Sequence, residues 1–78
     1  MARPTKLTPE IQRTICAALQ AGNYVEAACG LAGISDTTFY RWMERGDRES
    51  RGQFREFRDS VSRAIAASEA GLVAVVYR

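Results

Sequence analysis

The sequence predicts an all-α fold in which three short helices form a core and a longer C-terminal helix follows. The chain has 78 residues, which is one domain at most. Residues that favour helix starts, such as Thr8 and Ser35, precede the helical segments, and glycines such as Gly22 and Gly46 stand where helices are expected to end. Between these signals, apolar residues recur at three- and four-residue steps, which is typical of a helix with one buried face.

Two short helices are predicted first. Thr8-Pro9-Glu10 has the order of an N-cap, a proline at the first helical position and a carboxylate in the first turn. The first helix is therefore predicted over residues 9–21. Asn23 is expected to cap a second helix over 24–32, with Glu26 completing a capping box.

The third helix is predicted over residues 36–45, with Ser35 as its N-cap and Gly46 as its end. Residues 47–53 are polar and are expected to form a connecting loop. A long helix is then predicted over 54–78, because an eleven-residue repeat continues through it. The repeat consists of Phe54, Phe57, Val61, Ile65, Ser68, Leu72 and Val76. This helix is expected to pack on the core, and its apolar end indicates either a self-association surface or a chain cut from a longer protein.

The second and third helices have the pattern of a helix-turn-helix. Such a unit needs small residues at a close helix crossing, a glycine in a short turn and apolar residues on the inner face of the second helix. The residues that meet these needs are Ala28 and Cys29, Gly33, Ile34, and Phe39 with Trp42. We therefore predict a helix-turn-helix DNA-binding core over residues 8–46, with a generic helical hairpin as the alternative.

The opposite face of the third helix is the candidate for DNA binding. If Phe39 and Trp42 point inward, this face can enter the major groove of DNA. The candidate contacts on helix 36–45 and its cap are Ser35, Thr37, Thr38, Tyr40, Arg41 and Arg45. The threonines can donate to phosphate, and Arg41 is the best candidate for a bidentate contact to guanine. For Asp36, a role at the helix start is favoured over a contact to cytosine.

Two further basic features have weaker support. Residues 1–7 are expected to form a flexible basic arm whose Arg3 and Lys6 could enter the minor groove. An arm that binds nothing is an equally good interpretation of the same residues. Arginines also recur every three or four residues from Arg41 to Arg58, which could track phosphates. Acidic residues are interleaved with them, so pairing within the protein is the competing interpretation.

Composition argues against catalysis. The chain has no histidine, the usual general base, and its two cysteines cannot complete a four-ligand zinc site. Cys16 and Cys29 are instead expected to act as small hydrophobes. Gly30 and Gly33 lack the context of a phosphate-binding loop. We therefore expect no enzymatic activity, no cofactor and no metal.

Charge and hydropathy limit the partners. The formal net charge is only +2, so useful DNA affinity would require several copies acting together, and a homo-oligomer is expected. No apolar run approaches the ~20 residues that cross a bilayer, and no signal peptide is recognisable. We expect a cytoplasmic protein without a membrane partner.

Four stretches carry a family resemblance: RPTKLTPE at 3–10, ACGLAGIS at 28–35, TFYRW at 38–42 and FREF at 54–57. They resemble the N-terminal helix-turn-helix domain of phage terminase small subunits. The resemblance implies a non-enzymatic subunit that recognises a packaging site on double-stranded viral DNA, forms a homo-oligomer and works with a large terminase subunit. It also implies that Ser35, Thr37, Tyr40 and Arg41 face DNA.

Two alternatives stay open. The same signature of small residue, glycine, Ile-Ser and aromatic pair occurs in repressor and recombinase domains, so the chain could be a small transcriptional regulator or a recombinase DNA-binding module. The low net charge also leaves open a helical protein-interaction module that does not bind DNA.

Overall fold

A computed structural model describes residues 6–76 of the chain, and the side chains of residues 6–69. Four helices follow one another: α1 (Pro9–Gln20), α2 (Val25–Ala32), α3 (Asp36–Arg48) and α4 (Gln53–Val76). The described part of the chain contains no strand. The predicted all-α class is therefore confirmed, with three short helices followed by a longer one.

Helix α1 starts as predicted and ends at Gln20, one residue before the predicted end. The Thr8 hydroxyl accepts a hydrogen bond from the Ile11 N–H at 3.1 Å, and Pro9 is the first helical residue. Gly22 follows the helix with a φ of +97°. This left-handed conformation is easy for glycine because it has no Cβ, and it turns the chain away from α1.

The capping box predicted for α2 is wrong. Tyr24 is the N-cap residue, and it makes no side-chain capping hydrogen bond. Asn23 instead donates its side-chain Nδ2 to the Ala18 carbonyl at 3.0 Å, and its backbone N–H donates to the same oxygen at 3.0 Å. The last carbonyls of a helix lack partners within that helix. The turn at Gly22 brings both donors of Asn23 to one of them, the Ala18 carbonyl.

The predicted end of the third helix at Gly46 is also wrong, because α3 continues to Arg48. Gly46 is a buried helical residue, and a Cβ placed on it would overlap the carbonyl oxygen of Phe54 and lie 2.6 Å from the Arg58 Cβ. The glycine therefore permits the start of α4 to pack closely on α3. The connection between the helices is correspondingly shorter than the predicted loop over 47–53, and spans residues 49–52.

The core lies between the four helices, with α4 packed against α1 and α3, and α2 packed against α1 and α3. Phe57, Ile15, Val61 and Cys29 are its largest fully buried side chains. The predicted apolar stripe on α4 holds at Phe57 and Val61, but Ala64 then faces the core while Ile65 is 37% exposed. The reason is the position of α1, which packs on the side of α4 that carries Ala64. The positions of the stripe beyond Ser68 lie outside the described side chains.

The helices α1 and α4 run parallel. Gln12, near the start of α1, donates its Nε2 to Ser60 Oγ, two turns into α4, at 3.1 Å. Beyond the end of α1, a Cβ on Gly22 would lie 3.8 Å from Ser68 Oγ, two turns further along α4. Since α4 ends at Val76, it extends eight residues past Ser68, which is ~12 Å of helix. None of the described helices combines the length and apolarity required to cross a membrane.

Candidate nucleic-acid interface

A tight turn sets the position of α3 relative to α2. Gly33 ends α2 with a φ of +78°, and the Ile34 N–H then donates to the Cys29 carbonyl at 3.0 Å. Ile34 is buried beneath the turn. Ser35 caps α3 by accepting the Thr38 N–H at 3.2 Å. Three residues therefore separate the two helices, and each has the role that the sequence predicts.

The inner face of α3 is held by aromatic contacts. Phe39 and Trp42 are 2% and 8% exposed, and the Phe57 ring lies edge-on to both, with centroid separations of 5.7 and 5.5 Å. Edge-to-face pairs of this kind contribute about 0.5–1.5 kcal/mol beyond the area they bury. Ala28, which is fully buried on α2, provides the predicted small residue at the crossing. This face therefore fixes the rotation of α3.

The opposite face of α3 is exposed over its whole length. We call it the α3 outer face, and it consists of Ser35, Asp36, Thr37, Tyr40, Arg41 and Glu44. Tyr40 is 57% exposed, although its ring lies edge-on to Phe39 at 5.2 Å. The contact with Phe39 supports the Tyr40 ring on its buried side and leaves the rest of the ring exposed to solvent. The predicted orientation of this face is confirmed.

Two of the candidate hydroxyl groups serve the start of the helix. Besides accepting the Thr38 N–H, Ser35 Oγ lies 3.1 Å from Thr38 Oγ1, and Thr38 is half-buried. Thr37 is exposed and makes no side-chain hydrogen bond to another described residue. Among the three, Thr37 is therefore the best placed to contact a ligand.

The two arginines predicted to bind DNA differ in their surroundings. Arg45 Nε donates to Glu49 Oε2 at 2.8 Å, and its guanidinium lies 4.2 Å from the centroid of the Phe54 ring. Arg41 is exposed and forms no ion pair within the described side chains. Arg41 is thus directed outward, while Arg45 is engaged with the junction of α3 and α4. Of the two arm residues, Lys6 is exposed and Arg3 lies outside the described residues.

The longer run of arginines does not form one stripe. Arg58 pairs with Asp47 at 2.8 Å and with Asp59 at 3.2 Å, and Arg55 pairs with Asp59 at 3.5 Å. The hydrogen bonds that Arg58 donates to Asp59 and to Asp47 raise the pKa of Arg58 above its ordinary value, and the bond to Asp59 has the larger effect. The competing interpretation, pairing with the interleaved acidic residues, therefore holds for Arg45, Arg55 and Arg58. The other members of the run, Arg41, Arg48 and Arg51, are exposed.

Sequence reasoning missed an exposed apolar pair on α2. Tyr24 is 85% exposed and Leu31 is 68% exposed. Tyr24 is the N-cap residue of α2 and Leu31 lies in its last turn, so the two stand at opposite ends of that helix. Neither side chain contributes to the core.

The thiol pKa of each cysteine is raised above its ordinary value. Burial raises the pKa of Cys16, an effect that the charge of Arg63 partly offsets. Burial also raises the pKa of Cys29, and Asp36 adds to the increase. Within the described part of the chain, no group of three or more His, Cys, Asp or Glu residues is placed to hold a metal ion.

No protein-family model matches this chain, and comparison with curated proteins and with solved structures likewise finds no match.

Proposed function

We propose that the chain binds double-stranded DNA by presenting the α3 outer face to the major groove, as the non-enzymatic recognition subunit of a phage DNA-packaging motor. The proposal of DNA binding is supported by the division of α3 into a buried aromatic face and an exposed polar face. The packaging role has narrower support, since it depends on the resemblance of the sequence to terminase small subunits.

Three residues are proposed to make the principal contacts. Arg41 can donate two hydrogen bonds to one guanine, and such a bidentate contact contributes about 1–3 kcal/mol of discrimination. Tyr40 is held by Phe39 and offers a ring edge and a hydroxyl to the groove. Thr37, one turn earlier on α3, can donate to a phosphate or contact a thymine methyl group.

Electrostatics favour an assembly over a single copy. The α3 outer face carries Asp36 and Glu44 as well as Arg41, so its attraction to phosphates is weak. Residues 69–76 extend beyond α1 and contain one charged residue, Glu69, among apolar and small ones. We propose that this end of α4 joins copies of the chain. Linked copies can gain about 10²–10⁴ in apparent affinity when they engage one duplex together.

The test is selection and titration with the full chain. A pool of random duplexes is enriched on the protein at low salt, and the enriched duplex is then titrated by fluorescence anisotropy. Arg41→Ala should weaken binding about tenfold, as expected for loss of a guanine contact. Arg63→Ala is the matched control, because Arg63 is an exposed arginine on α4 away from the α3 outer face.

Equal affinity of the Arg41→Ala and Arg63→Ala proteins would contradict the proposed use of the α3 outer face. A sequence-specific site near a packaging ATPase gene supports the packaging role. A site at a divergent promoter, or a neighbouring resolvase domain, supports instead a transcriptional regulator or recombinase module that uses the same contacts.

A second candidate is a helical protein-interaction module that does not bind DNA. It is favoured by the acids Asp36 and Glu44 on the α3 outer face and by the exposed apolar pair Tyr24 and Leu31. Exposed apolar residues rimmed by polar ones are typical of protein contacts. Failure of the assembled protein to bind any duplex at low salt would make this the better proposal.

A further inference from the structure

An open groove lies between the parallel helices α1 and α4. Its apolar lining comes from small side chains, namely Cys16 on α1 and Ala64 and Ala67 on α4. The hydrogen bond from Gln12 to Ser60 joins the two helices within the same lining. Small side chains let another helix approach closely, because its backbone is not held away by bulky groups. The groove therefore has a shape suited to a third helix.

The groove is also positively charged. Arg13 and Arg63 line it from opposite helices, and both are exposed. No acidic residue lines it, and neither arginine forms an ion pair with another described side chain. Arg63 Nη2 donates to Ser60 Oγ at 3.2 Å, which holds the guanidinium over the lining. In this respect the groove differs from the α3–α4 junction, where Arg45, Arg55 and Arg58 are paired with acidic residues.

The groove lies on a different side of α4 from α3. At the junction, α3 approaches Phe54 and Arg58, as the contacts around Gly46 show. Arg63 is five residues beyond Arg58, so it is rotated by about 140° around the helix axis. The groove therefore opens on a different side of α4 from the one that packs on α3.

The geometry points to a helix of a partner protein as the ligand of this groove, with a stripe of apolar residues on one face and carboxylates on both flanks. The apolar stripe would pack on Cys16 and Ala67, above the buried Ala64, and the carboxylates would pair with Arg13 and Arg63. A second copy of this chain fits less well, because the α4 extension over residues 69–76 contains a single acid, Glu69. This inference does not depend on DNA binding by α3.

A designed peptide can test this chemistry. The probe is a capped, alanine-based helix of about 20 residues, long enough to be helical alone. It carries leucines on one stripe and glutamates on both flanks, and its control replaces every glutamate by lysine. The glutamate peptide should shift the amide NMR signals of groove residues such as Gln12 and Ser60 in the full chain, and the lysine peptide should not.

Alkylation provides an independent readout. Cys16 is partly exposed in the groove, whereas Cys29 is 2% exposed in the core. Saturating glutamate peptide should slow modification of Cys16 by iodoacetamide, measured by peptide mapping. The double variant Arg13→Glu/Arg63→Glu should weaken peptide binding at least about tenfold, and the matched variant Arg48→Glu/Arg51→Glu should leave it unchanged.

Several outcomes would overturn the inference. These are no binding of the glutamate peptide, signal shifts outside the groove, or equal binding of the lysine peptide. Shifts of the groove signals caused by duplex DNA would assign the groove to nucleic acid. Shifts that depend on protein concentration alone, with a doubled mass in solution, would assign it to a second copy. Because DNA binding is measured with Arg41→Ala, failure here leaves the proposed function intact.

Discussion

The two ends of α3 carry similar residues but differ in what surrounds them. At its C-terminal end, Arg45 is paired with Glu49 and stacked on Phe54, so it is committed to the junction with α4. Towards its N-terminal end, Tyr40 and Arg41 are exposed and form no ion pair with the described side chains. The comparison shows that arginines at regular spacing differ in role according to which other helix lies nearby.

Gly46 accounts for much of this difference. Because it lacks a Cβ, the start of α4 packs against the last turns of α3 and brings Arg58 to within 2.8 Å of Asp47. The acids and arginines of that region therefore neutralise one another. The N-terminal part of α3 projects its outer face away from this junction, and its charges stay available to a ligand.

The largest effect is expected from changing Gly46. Gly46→Ala places a methyl group against the Phe54 carbonyl and the Arg58 Cβ, and overpacking of this kind costs about 1–3 kcal/mol. Gly30→Ala is the matched control, because Gly30 is helical and has open space where a Cβ would lie. It should stabilise the protein by about 0.4–1 kcal/mol. Urea unfolding followed by circular dichroism measures both changes.

Equal free energies of unfolding for the two variants would show that α4 does not approach α3 as closely as described. The Gly46→Ala protein also tests whether the two ends of α3 respond differently to a change at the junction. If the junction loosens in the Gly46→Ala protein while the core stays folded, the exposure of Arg45 and Arg58 should increase, and the α3 outer face should not change.

The elements that the sequence predicted well depend on local signals. The caps at Thr8 and Ser35 and the left-handed turn at Gly33 are set by residues within a few positions along the chain. The inward orientation of Phe39 and Trp42 follows from helical periodicity alone. For these reasons the helix count, the turn and the α3 outer face could all be predicted from the sequence.

What the sequence could not predict depends on contacts between distant residues. The role of Gly46 is set by Phe54 and Arg58, which approach it only after the chain has turned. A glycine that permits close packing and one that ends a helix look the same in a sequence. The exposure of Ile65 likewise depends on where α1 packs against α4.

A smaller effect is expected at Ser35, where two roles can be separated. Ser35→Ala removes the acceptor for the Thr38 N–H and should destabilise the protein by about 1 kcal/mol. Ser35→Asp keeps a good N-cap and should retain the stability, but its charge would face phosphates and weaken DNA binding. Urea unfolding and anisotropy titration measure the two properties on the same proteins. Undiminished DNA affinity of the Ser35→Asp protein would place Ser35 away from the duplex.

The smallest effect is expected at Arg45. Exposed ion pairs spaced by four residues on a helix contribute about 0.3–0.5 kcal/mol, so a double-mutant cycle with Arg45→Ala and Glu49→Ala should give a coupling of that size. Salt should reduce it, because the Arg45 side chain is 57% exposed. The same Arg45→Ala protein should lose at most about twofold in DNA affinity, far less than Arg41→Ala. If the two variants lost DNA binding equally, Arg45 would exchange Glu49 for phosphate in the complex, and the distinction between the two ends of α3 would hold only for the unbound protein.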